Sequence, residues 1–395
     1  MQSPPRWTEL GELVGLVARQ RASTRSDLGR VTGLARATIS QRVSQLLDLG
    51  VLVEAGDGTS AGGRRPALLA LNPAAGVLLA ADIGANHARV AVATLGGHLL
   101  DERALPVTLS DGPQRVLSLL VDQFQSLLAD TGWTADDVRG IGMGVPGPVE
   151  FATGTVVKPP IMPGWDGLIV PEVLSREFDA AILVDNEVNL MALGEYWSRE
   201  LVDEQLLFIK VATGIGCGII TNGLVHRGAD GAAGDIGHVR VSHDSEVVCS
   251  CGNINCLEAL ASGSALARQL TAEGTITRGT GDVVALAQAG DPRAVRYVRI
   301  AGERIGEVLA SLVNFYNPTE IVIGGSLAVL HDDLLAGIRG VIYQRALPLA
   351  TRRLKIETSP LGQRPGILGG IMLAAQGALE PTRLSTWISG ALAEG

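Results

Sequence analysis

The sequence predicts an amino-terminal helix-turn-helix module with a β-wing, followed by a larger α/β body of two similar halves. Three observations lead there. A helical period near the start is followed by a capping box, a glycine turn and a second helical period. The formal charge of −9 divides into +3 over residues 1–75 and −12 over the remainder, a small basic head on an acidic body. A strand, glycine turn and returning strand at 77–97 recur at 206–224.

The 395 residues suffice for two or three domains, each able to bury a core. The 50 glycines are spread through apolar runs, which excludes collagen and low-complexity disorder. The start, MQSPPRWTELGEL, lacks the basic and apolar regions of a secretory signal. Asp82 and Arg89 interrupt the most apolar stretch below the roughly 18 residues of a membrane span. Of four cysteines, three lie at Cys249, Cys251 and Cys256, a poor match to a secreted disulfide framework. A cytoplasmic protein with no membrane partner is expected.

In the head, Leu10, Leu13, Val14 and Val17 form one apolar helical face, with Thr8 expected as N-cap. Thr24-x-x-Asp27 reads as a capping box opening a short helix through Leu28 and Val31, and Gly33 supplies the turn. A third helix is predicted from about Arg36 to Asp48, with Ile39, Val43, Leu46 and Leu47 inward. Arg36, Thr38, Gln41, Arg42, Ser44 and Gln45 are the candidate DNA-reading residues on this helix. Residues 51–54 and 67–71 read as the strands of the wing, whose tip carries Arg64 and Arg65 for the minor groove. The plainer alternative is a regulatory or dimerising bundle.

In the body, each half opens with an apolar strand, a glycine turn and a returning strand, and residues 314–328 add a helix end, a strand and a Gly-Gly turn. Turns of this kind hold phosphate through backbone N–H groups. The motifs DIGAN (82–86), GMGVPGP (142–148), DNEVN (185–189), VATGIGCGI (211–219), AGDIGH (233–238) and CSCGNINCLE (249–258) follow in order.

On these motifs, over residues 8 to 380, the chain resembles the ROK family of bacterial sugar kinases and sugar-responsive repressors, on its repressor branch. The resemblance implies an actin/hexokinase-like (ribonuclease H-like) two-lobed α/β body. The expected division is 1–75 for the winged helix-turn-helix, 76–190 for the first lobe, 191–380 for the second lobe with the zinc motif and oligomerisation surface, and 381–395 for a tail.

His238, Cys249, Cys251 and Cys256 fall in the spacing H-x10-C-x-C-x4-C, one imidazole and three thiols suited to a closed tetrahedral zinc site. With four protein ligands no position remains for water, so Zn2+ is expected to be structural. The alternative is buried free thiols beside a core histidine. The resemblance implies the same ligands. Cys217 reads as packing, and His226 and His243 as loop residues.

The resemblance further implies a sugar held by Gly147, Asn186, Glu187, Asp235, His238 and Glu258, a donor and acceptor set that suits adjacent hydroxyls. Asn189 and Glu195 are left as helix surface or as support behind the sugar. Family kinases place Asp where this chain has Glu187; the extra methylene moves the carboxylate by about 1 Å, a misplacement worth about a hundredfold in rate. The kinase turn Asp-x-Gly-Gly-Thr followed by a basic residue becomes Asp82-Ile83-Gly84-Ala85-Asn86-His87, and the glutamate of E-x-G-H becomes Asp235. No catalytic residue is therefore expected. The reading is a sugar-responsive repressor with double-stranded operator DNA and a sugar or sugar phosphate as partners, acting as a homodimer or homotetramer. The alternatives are an active ATP-dependent sugar kinase with a fused DNA-binding head, and a zinc protein with neither ligand.

Overall fold

The computed structural model describes residues 6–18, 22–57, 66–199, 205–242, 246–380, 382–384 and 386–387. The head contains α1 (Arg6–Ala18), α2 (Arg25–Thr32), α3 (Arg36–Asp48) and an antiparallel hairpin of β1 (Leu52–Asp57) and β2 (Ala67–Leu71). Thr24 caps α2 by accepting from Asp27 N at 3.1 Å, and its hydroxyl donates to the Asp27 carboxylate at 2.8 Å. Gly33 ends the helix in the left-handed region, at φ 71°. Thr8 is not the cap of α1, which already begins at Arg6; the apolar face fixes which side is buried but not where the first turn starts. Ile39, Val43 and Leu46 are buried as predicted, while Leu47 is only half-buried.

The two halves of the body repeat one topology. The first sheet has the order β5-β4-β3-β6-β9, from β3 (Val77–Ile83), β4 (His87–Thr94), β5 (Leu99–Pro106), β6 (Val138–Val145) and β9 (Ala181–Asn186). A short hairpin, β7 (Val149–Glu150) with β8 (Thr155–Val156), intervenes. The second sheet has the order β12-β11-β10-β13-β14, from β10 (Leu206–Val211), β11 (Ile215–Thr221), β12 (Leu224–Val225), β13 (Glu320–Gly324) and β14 (Lys355–Thr358). In each, the first three strands form an antiparallel meander and the last two run parallel to the first. The echo between 77–97 and 206–224 is thus the first hairpin of each sheet.

Helix Pro113–Thr131 covers the outer face of the first sheet, with Val116, Leu120, Phe124 and Leu127 in its core. Helices Pro292–Tyr316 and His331–Arg345 cover the outer face of the second. Between the sheets lie helices Glu187–Ser198 and Pro365–Ala378. They meet backbone to backbone: a Cβ at Gly194 would stand 2.0 Å from Pro365 O, and one at Gly369 only 1.8 Å from Leu190 O.

Two expected boundaries shift. Residue 190 falls inside helix Glu187–Ser198, and helix Pro365–Ala378 packs on β3 and β6 of the first sheet rather than on the second. The chain returns to its first half because the inner face of that sheet is apolar and needs a helix to cover it. The segment after 380 is also more than a tail. Leu384 is fully buried in the head's core with Leu10, Leu28, Ile39 and Val43, and Arg139 of the body stacks over Trp387 at 5.1 Å. No described helix is long and apolar enough to cross a membrane.

Candidate functional site

The first wall of the cleft is organised by the end of β9 and the helix that follows. Asn186 caps that helix, its side-chain oxygen accepting from Val188 N at 2.9 Å, while its amide donates to Gly147 O at 3.0 Å. Gly147, Asn186 and Glu187 are thereby brought together, with Glu187 in the first helical turn, where a carboxylate is favoured. Glu187 is buried and forms an ion pair with Lys210 of the second sheet. Asp82, also buried, has its carboxyl pushed up to about 7, chiefly by burial and then by the charge of Glu187.

The first glycine turn is closed by Gly84 N–H donating to His87 O at 2.8 Å. The His87 ring lies against Gly84, so closely that a Cβ there would stand 2.5 Å from it. Ala85 is not among the residues with positive φ, so the turn is built without the left-handed conformation that a second glycine permits. In the second turn, Ile215 N–H donates to Glu258 Oε2 at 3.1 Å. The N–H donors of the two turns are thus partly committed within the protein.

Glu258 reaches the second turn from helix Leu257–Ala261 and lies beside Gly237, which places it next to the short turn Ile236–His238. Asp235 precedes this turn and is exposed. His238 is half-buried, its Nδ1 3.6 Å from Cys249 Sγ, and Cys251 Sγ is 3.7 Å from Cys256 Sγ. All four candidate ligand atoms lie within 4.8 Å of one another. Zn–S near 2.3 Å and Zn–N near 2.0 Å in a tetrahedron require ligand-to-ligand edges of about 3.5–3.8 Å, which the 3.6 and 3.7 Å pairs match, so the donor set suits a metal of this kind. With Nδ1 turned to Cys249 Sγ, Nε2 is the ring nitrogen not turned to the cluster. Cys217 is buried apart from this cluster, its thiol pushed up to about 12 by burial, in keeping with packing.

On α3, Arg36, Gln41 and Ser44 are exposed and Thr38, Arg42 and Gln45 half-buried, so this row forms the outward face of the helix. Arg64 and Arg65, like His243, lie outside the described residues. His226 is exposed. Asn189 and Glu195 are not on the helix surface. Asn189 donates to Asp185 at 2.8 Å, and the fully buried Glu195 is paired with Arg199 and accepts from Ser359. Their helix lies between two sheets, with every residue from Glu187 to Tyr196 buried.

Lys210 lies outside the motifs read from the sequence. The available signal was a lone lysine in the apolar strand LLFIKV, a charge that a buried strand carries only with a partner. Arg227 lies outside those motifs as well. It joins Asp185, and nothing in the local sequence of the loop points across the cleft.

Residues 78–377 match the ROK family. The putative xylose repressor of Caldicellulosiruptor sp. (strain Rt8B.4) is 32% identical over 89% of this chain and 92% of its own length. The glucokinase of Halalkalibacterium halodurans is 31% identical over 75% of this chain and 94% of its own length. Among solved structures, a ROK family transcriptional regulator, homolog of the Escherichia coli MLC protein, superposes with a TM-score of 0.81 at 24% identity, over 97% of this chain and 99% of that one.

Proposed function

The chain belongs to the ROK family, and from that premise we propose that it is a sugar-responsive transcriptional repressor with phosphoryl transfer weakened or lost. The observation that carries this reading is the pairing of Glu187 with Lys210 in the cleft of a kinase-type body that bears a helix-turn-helix head. The residue in the position of the kinase base is held by a protein cation, and the first phosphate turn is covered by the His87 ring.

In this reading Gly147, Asn186, Glu187, Asp235, His238 and Glu258 hold the hydroxyls of a sugar or sugar phosphate. A structural Zn2+ on His238, Cys249, Cys251 and Cys256 fixes the loop that carries two of them. Arg36, Thr38, Gln41, Arg42, Ser44 and Gln45 face operator DNA, with Arg64 and Arg65 at the wing tip. The protein acts in the cytoplasm as a homodimer or homotetramer on a pseudo-palindromic site. Sugar changes DNA affinity only if it binds one lobe arrangement better than the other.

The test is fluorescence anisotropy on DNA from the upstream region of the gene, with and without glucose, xylose and N-acetylglucosamine. One of these sugars is expected to shift operator affinity, and Glu187→Ala to abolish the shift; unchanged DNA binding at saturating sugar contradicts the mechanism. The glucokinase likeness of the body supports a second reading, an active kinase with a fused head. Robust ADP release with a sugar of the same panel would establish it.

A further inference from the structure

Asp185 and Arg227 belong to opposite walls of the cleft. Asp185 lies at the end of β9, an edge strand of the first sheet, and Arg227 follows β12, an edge strand of the second. The Arg227 Nε and Nη2 atoms both approach Asp185 Oδ2 at 2.7 Å, and the guanidinium lies 3.5 Å from the centroid of the Phe151 ring, which belongs to the first wall. Stacking of this kind suits the planar guanidinium and not an ammonium.

The loop that begins at Arg227 ends at Asp235 and His238. It is closed on itself by Ala233 N–H donating to Arg227 O at 3.1 Å, and tied to its own sheet by Cys217 N–H donating to Gly234 O at 3.0 Å. It touches the first wall a second time at Gly231, where a Cβ would stand 2.4 Å from Val149 O. A second-wall loop carrying two candidate sugar residues is therefore docked on the first wall at two points. One of them is the residue next to Asn186.

The contact is built to release as well as to hold. Asp185 is buried, which makes an unpaired charge costly, yet its Oδ1 independently accepts from Asn186 N at 2.7 Å and from Asn189 Nδ2 at 2.8 Å. When Arg227 leaves, the carboxylate keeps two donors, and the arginine, already partly exposed, gains water.

Resting on the repressor reading above, we infer that Arg227 is a positioning residue. Its seat on Asp185 and Phe151 is the closed state of the sugar cleft, and its release is the open state. A sugar spanning Asn186 on one wall and Asp235 and His238 on the other meets both sets of groups only when Arg227 is seated, so sugar favours the seated state.

The experiment uses the full-length protein with Arg227→Gln, Asp185→Asn, the double variant and Arg227→Lys. Isothermal titration with glucose, xylose and N-acetylglucosamine is read beside zinc content and the radius of gyration in solution. Each single variant is expected to weaken sugar binding at least tenfold at unchanged zinc content. The double variant should be no worse than either single one, Arg227→Lys should recover part of the affinity, and Arg227→Gln should be less compact than wild type. Additive losses in the cycle, or an Arg227→Gln protein with wild-type affinity, overturn the latch. If wild type binds none of the three sugars, the effector reading fails separately. The radius of gyration then decides the latch: expansion in Arg227→Gln supports it and an unchanged value overturns it.

Discussion

Asp82 and Lys210 hold equivalent positions in the two sheets. Each is next to last in the first strand of its half, each stands just before the glycine turn, and each pairs in register with a glycine of the parallel neighbour, Gly144 for Asp82 and Gly324 for Lys210. The duplication thus sets an acid on one wall and a cation on the other. Glu187 lies between them, ion-paired to Lys210 and raising the pKa of Asp82.

The Glu187–Lys210 pair is largely buried, so removing one partner strands a charge. Lys210→Met is expected to destabilise the protein by about 3 kcal/mol, the scale for breaking a buried pair. Adding Glu187→Gln should restore most of that loss. Urea midpoints of the single and double variants decide it, and a double variant as unstable as the single one contradicts the pairing argument.

Asp82 gives a pH dependence of definite sign. Its carboxyl titrates at about 7 in the folded protein and near about 3.9 in an unfolded chain. Between those values the folded state retains a proton that the unfolded chain has lost. The contribution of Asp82 is therefore fully present at about pH 4 and below, and falls away as the pH rises to about 7, by at most about 4 kcal/mol. Asp82→Asn should flatten the stability profile between about pH 4 and 7, the window set by the two pKa values, in denaturant titrations run at several pH values. A wild-type slope in the variant counts against the assignment.

The metal cluster predicts one zinc per chain, measured by elemental analysis. Chelation should lower the melting temperature and weaken sugar binding together, since His238 stands in both proposed sets. Cys256→Ser should reproduce both effects. Loss of zinc with undiminished sugar affinity would separate the metal from the cleft.

If the outward face of α3 reads operator DNA as proposed, substitution should separate base contacts from phosphate contacts. Gln41→Ala is expected to cost about 1–3 kcal/mol on the operator and little on unrelated DNA, as for a base contact. Arg36→Ala should weaken binding to every sequence alike and reduce the salt slope by about 1. Anisotropy titrations across salt concentrations distinguish these outcomes.

The hairpins of both sheets, the three head helices and the gathering of His238 with the three cysteines were legible because each rests on local chemistry. Apolar runs ended by glycine turns mark the strands, Thr24 and Gly33 bound α2, and the three cysteines lie within one short loop. What escaped was set by distance along the chain. The burial of Glu195 depends on a helix lying between two sheets, and Lys210 and Arg227 are explained only by partners 23 and 42 residues away. The return of helix Pro365–Ala378 to the first sheet is likewise a fact of packing. Gly369 and Gly370 make sense only against the backbones of Leu190 and Gly142.

Leu384 gives the head a temporal dependence on the rest of the chain. The core that positions α3 includes a side chain from the opposite end of the described sequence. During synthesis α1, α2 and α3 emerge first, but their last apolar neighbour is made only after both sheets. A nascent or prematurely terminated chain would therefore present an incomplete head, with the space of a leucine side chain unfilled. The order of synthesis thereby completes the packing behind α3 only after the whole body has been made.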